Sequence, residues 1–216
     1  MNICWLDLET TGTDERDGSI VEIGAIITTH ELVEIEEISV LVEPDQRHVE
    51  HMDEAVIEMH AASGLLDRMD ANERARIDGN QPDDLPIADA DRVVATTLSR
   101  HKVSGRLILA GSGVSHFDNR WIRHHLPRTS KLLTYWTYDV GNVRRFLGSI
   151  DRELLRPPPP GGKAHRGIAD ARDHLNEWRF YRRMIEEAGT ALRVSAARQQ
   201  IPSRALVDVL ADEQPE

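Results

Sequence analysis

The feature that most constrains this chain is an apolar, strand-like run over residues 2–8 that ends in a pair of acids, Asp7 and Glu9. Two similar runs follow, over 19–29 and 34–43. Thr11-Gly12 and Asp17-Gly18 between them are turn chemistry. Three successive strands predict an antiparallel meander. After them the pattern changes. A helix is expected over about 52–61, broken by Ser63-Gly64. Residues 70–86 are polar, with Gly79-Asn80-Gln81-Pro82, and read as a mobile insertion. A helix over 87–102, a short buried strand at 107–110, and helices over 116–126, 139–147 and 166–188 complete the pattern. Pro157 to Pro160 with Gly161-Gly162 is a loop, because proline supports neither a helix interior nor a central strand. Strands first, then strands alternating with helices, predict an α/β protein with a mixed sheet flanked by helices. One domain is expected over 1–188, followed by a tail, 189–216, with a short helix after Pro202-Ser203.

Asp7 and Glu9 lie two apart on a strand, so both point to one face. Asp118 follows Gly111-Ser112-Gly113 and opens an amphipathic helix. His165 and Asp170 straddle another helix start, with Gly167 between them. Singly these residues mean little; an acid at a helix start is commonplace. As an ordered set they are informative. Carboxylates are costly to cluster unless a cation neutralises them, so four together suggest hard divalent ions such as Mg²⁺ or Mn²⁺. A histidine beside them is a natural general base. Together these residues read as metal-dependent phosphodiester hydrolysis.

Composition bounds the partners. With 37 acidic against 26 basic residues the net charge is −11, which argues against a broad basic face that coats long nucleic acid. It leaves room for an enzyme that takes a short strand into a pocket where bound metals supply the positive charge. No apolar run approaches a membrane span, and no basic-then-apolar leader is seen. The single cysteine, Cys4, sits in a strand pattern and is expected to be buried. A cytoplasmic protein with no membrane association is the expectation.

Asp7-x-Glu9-Thr10-Thr11-Gly12, Asp118 after a glycine-rich strand end, and His165-x4-Asp170 resemble the DEDDh 3′→5′ exonucleases, and among them most closely the oligoribonucleases. Met52-Asp53-Glu54, His60-Ala61-Ala62-Ser63-Gly64 and Tyr135-Trp136-Thr137-Tyr138-Asp139-Val140 are similar to further segments of that group. The resemblance covers about residues 2–185. It implies an RNase H-like fold and two divalent metals, Mg²⁺ or Mn²⁺, per active site. It also implies release of nucleoside 5′-monophosphates from short single-stranded RNA. Asp7, Glu9, Asp118 and Asp170 would be the ligands, and His165 the base for the attacking water. Thr10, Gly12, Thr13, His60, Tyr135 and Trp136 would meet the substrate. A homodimer is implied, with residues 135–140 near the partner.

The chain departs from the family at several positions. Thr13 stands where a wedging leucine is usual, Ala55 where a tryptophan is usual, and Trp136 and Gly141 near the places of an arginine and a serine that cap a 5′-phosphate. Losing that arginine removes a charge-assisted, bidentate contact. Trp136 beside Tyr135 offers base stacking instead; packing in a core or an interface is the simpler account of both. His60 and Ser63 have a simpler account too, in capping or packing a helix end. Arg120, Arg123 and Arg166 read as phosphate contacts or, more simply, as solvated helix arginines. The alternatives to an RNA exonuclease are a DNA exonuclease of the same group and a non-catalytic nucleic-acid-binding module. The second expects a lost catalytic residue, and all five are present.

Overall fold

The computed structural model describes residues 1–103, 105–157 and 163–198; the side chains of 192–198 are left aside. Two compact units are found, Met1–Glu177 and Trp178–Glu216. Residues 158–162 of the expected loop at 157–162, and the tail helix after Pro202, lie outside the described residues.

The first unit is built on five strands: β1 (Ile3–Thr10), β2 (Ile20–Thr28), β3 (Glu34–Leu41), β4 (Leu107–Gly111) and β5 (Leu133–Asp139). The sheet order is β3-β2-β1-β4-β5. The first three strands form the antiparallel meander, and β4 and β5 add in parallel beside β1. Helices α1 (Gln46–Glu50), α2 (Glu54–Ala62), α3 (Leu65–Ile77) and α4 (Ile87–His101) separate β3 from β4. Helices α5 (Asp118–His125) and α6 (Pro127–Ser130) cross from β4 to β5. Helix α7 (Val140–Ile150), a 3₁₀ turn (Arg152–Leu154) and α8 (Gly167–Arg198) follow.

The two-residue period of β1 sorts its side chains. Cys4, Leu6 and Leu8 join Ile23, Ala25, Ile27, Leu107 and Leu109 in a core. Val94 and Leu98 of α4 and Trp121 and Ile122 of α5 close it. Asp7 and Glu9 therefore face the opposite side, together with their cross-strand partners Gly24 and Glu22. Edge strand β3 shows mixed exposure, and its acids Glu34 and Glu37 bond Arg172 of α8.

Three departures from the sequence expectation have physical causes. The 70–86 stretch, expected as a polar insertion, begins inside α3. Met69 and Asn72 are buried there, Asn72 Oδ1 accepts from Asp83 N at 2.9 Å, and the buried Asp84 pairs with Arg76. A mostly polar composition hid a helix that is held by only a few inward residues. The 135–140 segment forms most of β5, an unanticipated strand, because an edge strand carries little apolar alternation. Finally, α8 extends past the expected end at 188.

Candidate active site

Asp118 reaches β1 because β4 ends too soon. The β1–β4 pairing stops at Trp5–Ala110, which leaves the later β1 amides without a strand partner on that side. Asp118 Oδ1 accepts from Leu8 N at 3.1 Å and fills one such gap. The loop before Asp118 is shaped by Asp139 at the end of β5. That carboxylate accepts from Gly113 N (3.1 Å), Ser115 N (3.1 Å) and Ser115 Oγ (2.5 Å), and it also caps α7 at Asn142 N (3.2 Å). Burial works against the Asp139 charge, but these hydrogen bonds hold its carboxyl below the usual range.

Helix α8 brings the remaining pair. Its first turn touches β2 at two glycines: a Cβ on Gly24 would lie 2.0 Å from Gly167 C and 2.1 Å from Ile168 N. The contact is clamped by Glu22, a fully buried acid. Glu22 accepts from Gly167 N (2.9 Å) and from Arg166 Nε (3.0 Å) and Nη2 (2.8 Å). An acid at a helix N-terminus also suits the helix dipole. Arg166, expected as a phosphate contact or a solvated arginine, is thus a structural clamp. His165, just outside the helix, has φ of +51°. A non-glycine residue in that region is uncommon, and such conformations persist where the surroundings enforce them.

The result is a cluster. Ligand atoms of Glu9, His165 and Asp170 all lie within 4.8 Å of one another. Burial, followed by the charges of Asp118, Asp170 and Glu9, holds the Asp7 carboxyl well above its usual range. Burial, then Asp170 and Glu22, pushes Glu9 up to about 8. Asp118 rises to about 7 through burial, against its backbone hydrogen bonds. Asp170 is raised too, mainly by burial. Lys163 opposes the repulsion at all four. Three buried carboxylates and the partly buried Asp7, each disfavoured from ionising chiefly by desolvation, are a donor set fitted to hard divalent cations.

The five residues expected to be catalytic are therefore brought together; the expected substrate contacts are scattered. Thr10 is buried, with Oγ1 donating to Gly12 O at 2.7 Å. Gly12 and Thr13 line an open cavity of about 460 Å³ with Thr11, Asp14, Arg47 and His48. His60 departs from its expected role in touching substrate. It is wholly buried, its Nε2 donates to Thr10 O at 2.9 Å, and its Nδ1 lies 3.9 Å from Glu9 Oε2. It supports the end of β1 from behind. Tyr135 and Trp136 stand exposed on edge strand β5, with β4 between them and β1.

Sequence reasoning missed His174. It lies on α8 one turn beyond Asp170, buried, with Nδ1 3.8 Å from Asp7 Oδ1. Burial holds its imidazole down to about 4, so it is neutral near pH 7. The only signal in the sequence was its i,i+4 spacing from Asp170.

The RNase T exonuclease family model matches residues 4–78. The oligoribonuclease of Streptomyces coelicolor is 30% identical over 184 residues, which cover 84% of this chain and 85% of that protein. The chain belongs to the oligoribonuclease family. The Mycobacterium tuberculosis oligoribonuclease is 28% identical over 183 residues, covering 84% of this chain and 80% of that one. Among solved structures, exonuclease I from Methylocaldum szegediense superposes with a TM-score of 0.59 at 20% identity, over 84% of this chain. Exonuclease I of E. coli, in a complex with single-stranded DNA, gives 0.58 at 14% over 81%. The chain spans only 40% and 39% of those two proteins, and at such identities the likeness concerns the fold. The fold is RNase H-like, and this family member is a 3′→5′ exonuclease. Among the described residues no helix is long and apolar enough to cross a membrane.

Proposed function

We propose that this oligoribonuclease-family chain degrades short single-stranded RNA from the 3′ end to nucleoside 5′-monophosphates, with two Mg²⁺ or Mn²⁺ ions held by Asp7, Glu9, Asp118 and Asp170. The observation that carries the reading is the convergence of four carboxylates whose pKa values are all raised, chiefly by burial and, at Asp7 and Glu9, also by the neighbouring acids. Bound divalent cations would offset charge on the attacking and leaving oxygens of an in-line displacement. The residues of the chain do the rest. His165, fixed beside Glu9 and Asp170, takes the proton of the attacking water. Asp139 and the Leu8 amide fix Asp118; Glu22 and Arg166 fix the start of α8. The cavity beside Gly12 and Thr13 takes the terminal nucleoside. RNA is favoured over DNA because the relatives at 28–30% identity are oligoribonucleases.

Exposed Tyr135 and Trp136, adjacent on β5, are assigned to base stacking, which any base face allows, or to a homodimer contact along the β5 edge. Light scattering that gives only a monomer would remove the dimer. With Trp136 near the place of the phosphate-capping arginine, length dependence is expected to be shallow from about two to ten nucleotides, in line with typical single-strand footprints. The test compares catalytic efficiency on 5′-phosphorylated and 5′-hydroxyl dinucleotides and on ten-residue RNA and DNA strands. Similar efficiencies on the RNA substrates support the reading. A hundredfold preference for the phosphorylated dinucleotide, roughly 2.7 kcal/mol, would show that a cap exists. A preference for DNA would overturn the choice of RNA.

A further inference from the structure

Helix α8 sends two side chains toward β1 from successive turns of one face, Asp170 and His174. Asp170 belongs to the carboxylate cluster. His174 is 1% exposed, and among the described residues neither of its ring nitrogens has a hydrogen-bond partner. Buried polar atoms are nearly always paired, so two orphans on one ring call for an explanation. Glu177, one turn further on, is engaged in a fork by Arg144 Nε at 2.8 Å and Nη2 at 2.5 Å. Ala171 and Leu175, beside His174 on the same helix, are fully buried apolar residues, so a leucine would suit these surroundings. What a histidine adds there is a ring nitrogen close to the first acid, with Nδ1 3.8 Å from Asp7 Oδ1.

We propose that His174 is a positioning residue for Asp7: its Nδ1–H donates to Asp7 Oδ1 and fixes the carboxylate so that its other oxygen faces the divalent cations. The inference rests on the metal reading above. A neutral imidazole carries one N–H, and placing it on Nδ1 leaves Nε2 as an acceptor on the far side. A small rotation of either side chain closes the gap to hydrogen-bond length. Groups that hold metal ligands from behind are a recurrent part of metal sites, and losing one typically weakens metal affinity 10–100-fold. His60 does not duplicate the role at Glu9, because its Nε2 donates to Thr10 O and a neutral ring then turns a bare Nδ1 toward Glu9.

The test is calorimetric titration of the full chain with Mn²⁺, wild type against His174→Leu, His174→Asn and His174→Gln, with melting temperatures in EDTA. Asparagine places an amide N–H close to where Nδ1 stood; glutamine carries its amide further out. His174→Leu is expected to bind Mn²⁺ on the order of 10–100-fold more weakly. Its metal-free melting temperature should equal or exceed that of the wild type, because an apolar group replaces an unpaired polar one. Asparagine should recover most of the affinity, and glutamine should not. A residue that merely packs would shift the melting temperature and leave Mn²⁺ affinity alone. Affinities within twofold across the folded variants would overturn the proposal, and the asparagine–glutamine pair decides the matter if leucine disturbs folding. A wild-type protein that takes up no Mn²⁺ would instead overturn the metal reading, and this inference with it.

Discussion

Gly24→Ala is the sharpest test of how the site is assembled, because the added methyl replaces no catalytic group and meets the backbone at the start of α8. Its Cβ would lie 2.0 Å from Gly167 C, where carbon atoms normally rest at roughly 3.5 Å. The neighbour is backbone on both sides, so no side chain can rotate away. The helix start must retreat by about 1.5 Å, the difference between those distances. His165 and Asp170 travel with it, while Asp7 and Glu9 stay in the centre of the sheet. A misplacement of about 1 Å costs on the order of 10²-fold in rate, so turnover should fall by at least that much. Overpacking costs about 1–3 kcal/mol. For a domain of this size that is a melting temperature lower by about 2–12 °C. The assay pairs release of mononucleotides with a thermal melt. A variant that melts lower, keeps its circular dichroism and loses activity supports the account. Turnover within about twofold of wild type would refute the claim that this glycine contact sets the geometry.

Three further outcomes follow from the same structure. Asp118→Asn keeps an acceptor for Leu8 N and so should fold, yet it should show no turnover under conditions where the wild type is active; measurable activity would remove Asp118 from the metal site. His165→Ala should lower turnover by on the order of 10²–10⁴-fold while leaving Mn²⁺ binding largely intact, and unchanged turnover would exclude it as the base. Metal-free protein should lose stability as pH rises. Glu9 at about 8 and Asp118 at about 7 sit above their unfolded values, so their contribution is full below about pH 4, where both states are protonated. It fades as pH climbs through 7 to 8. Melting curves in EDTA should show this decline, and saturating Mn²⁺ should remove it; a flat profile in EDTA would contradict the clustering.

Most of the catalytic site was legible in the sequence because its signals are local. Asp7 and Glu9 share a face by the two-residue period of a strand, and Asp118 and Asp170 each mark a helix start. What holds these pieces together was not legible. The contact of Gly24 with Gly167 and the clamp of Glu22 on Arg166 join residues far apart in sequence, and neither glycine sits in a turn that would announce it. His60 and His174 look like ordinary helix residues until the fold sets each behind a different carboxylate. The polar helix α3 and edge strand β5 were obscured for the opposite reason, since few of their residues face a core.

The most direct measurement of the central claim uses a ten-nucleotide RNA labelled at one end or the other, incubated with the full chain in Mg²⁺ or in EDTA. The account predicts that the 3′ label leaves at once as a mononucleotide, while the 5′-labelled strand shortens one residue at a time. It predicts neither reaction in EDTA, because the clustered carboxylates then lack the divalent cations that would neutralise them. Internal cuts, loss of the 5′ label first, or full activity in EDTA would contradict it.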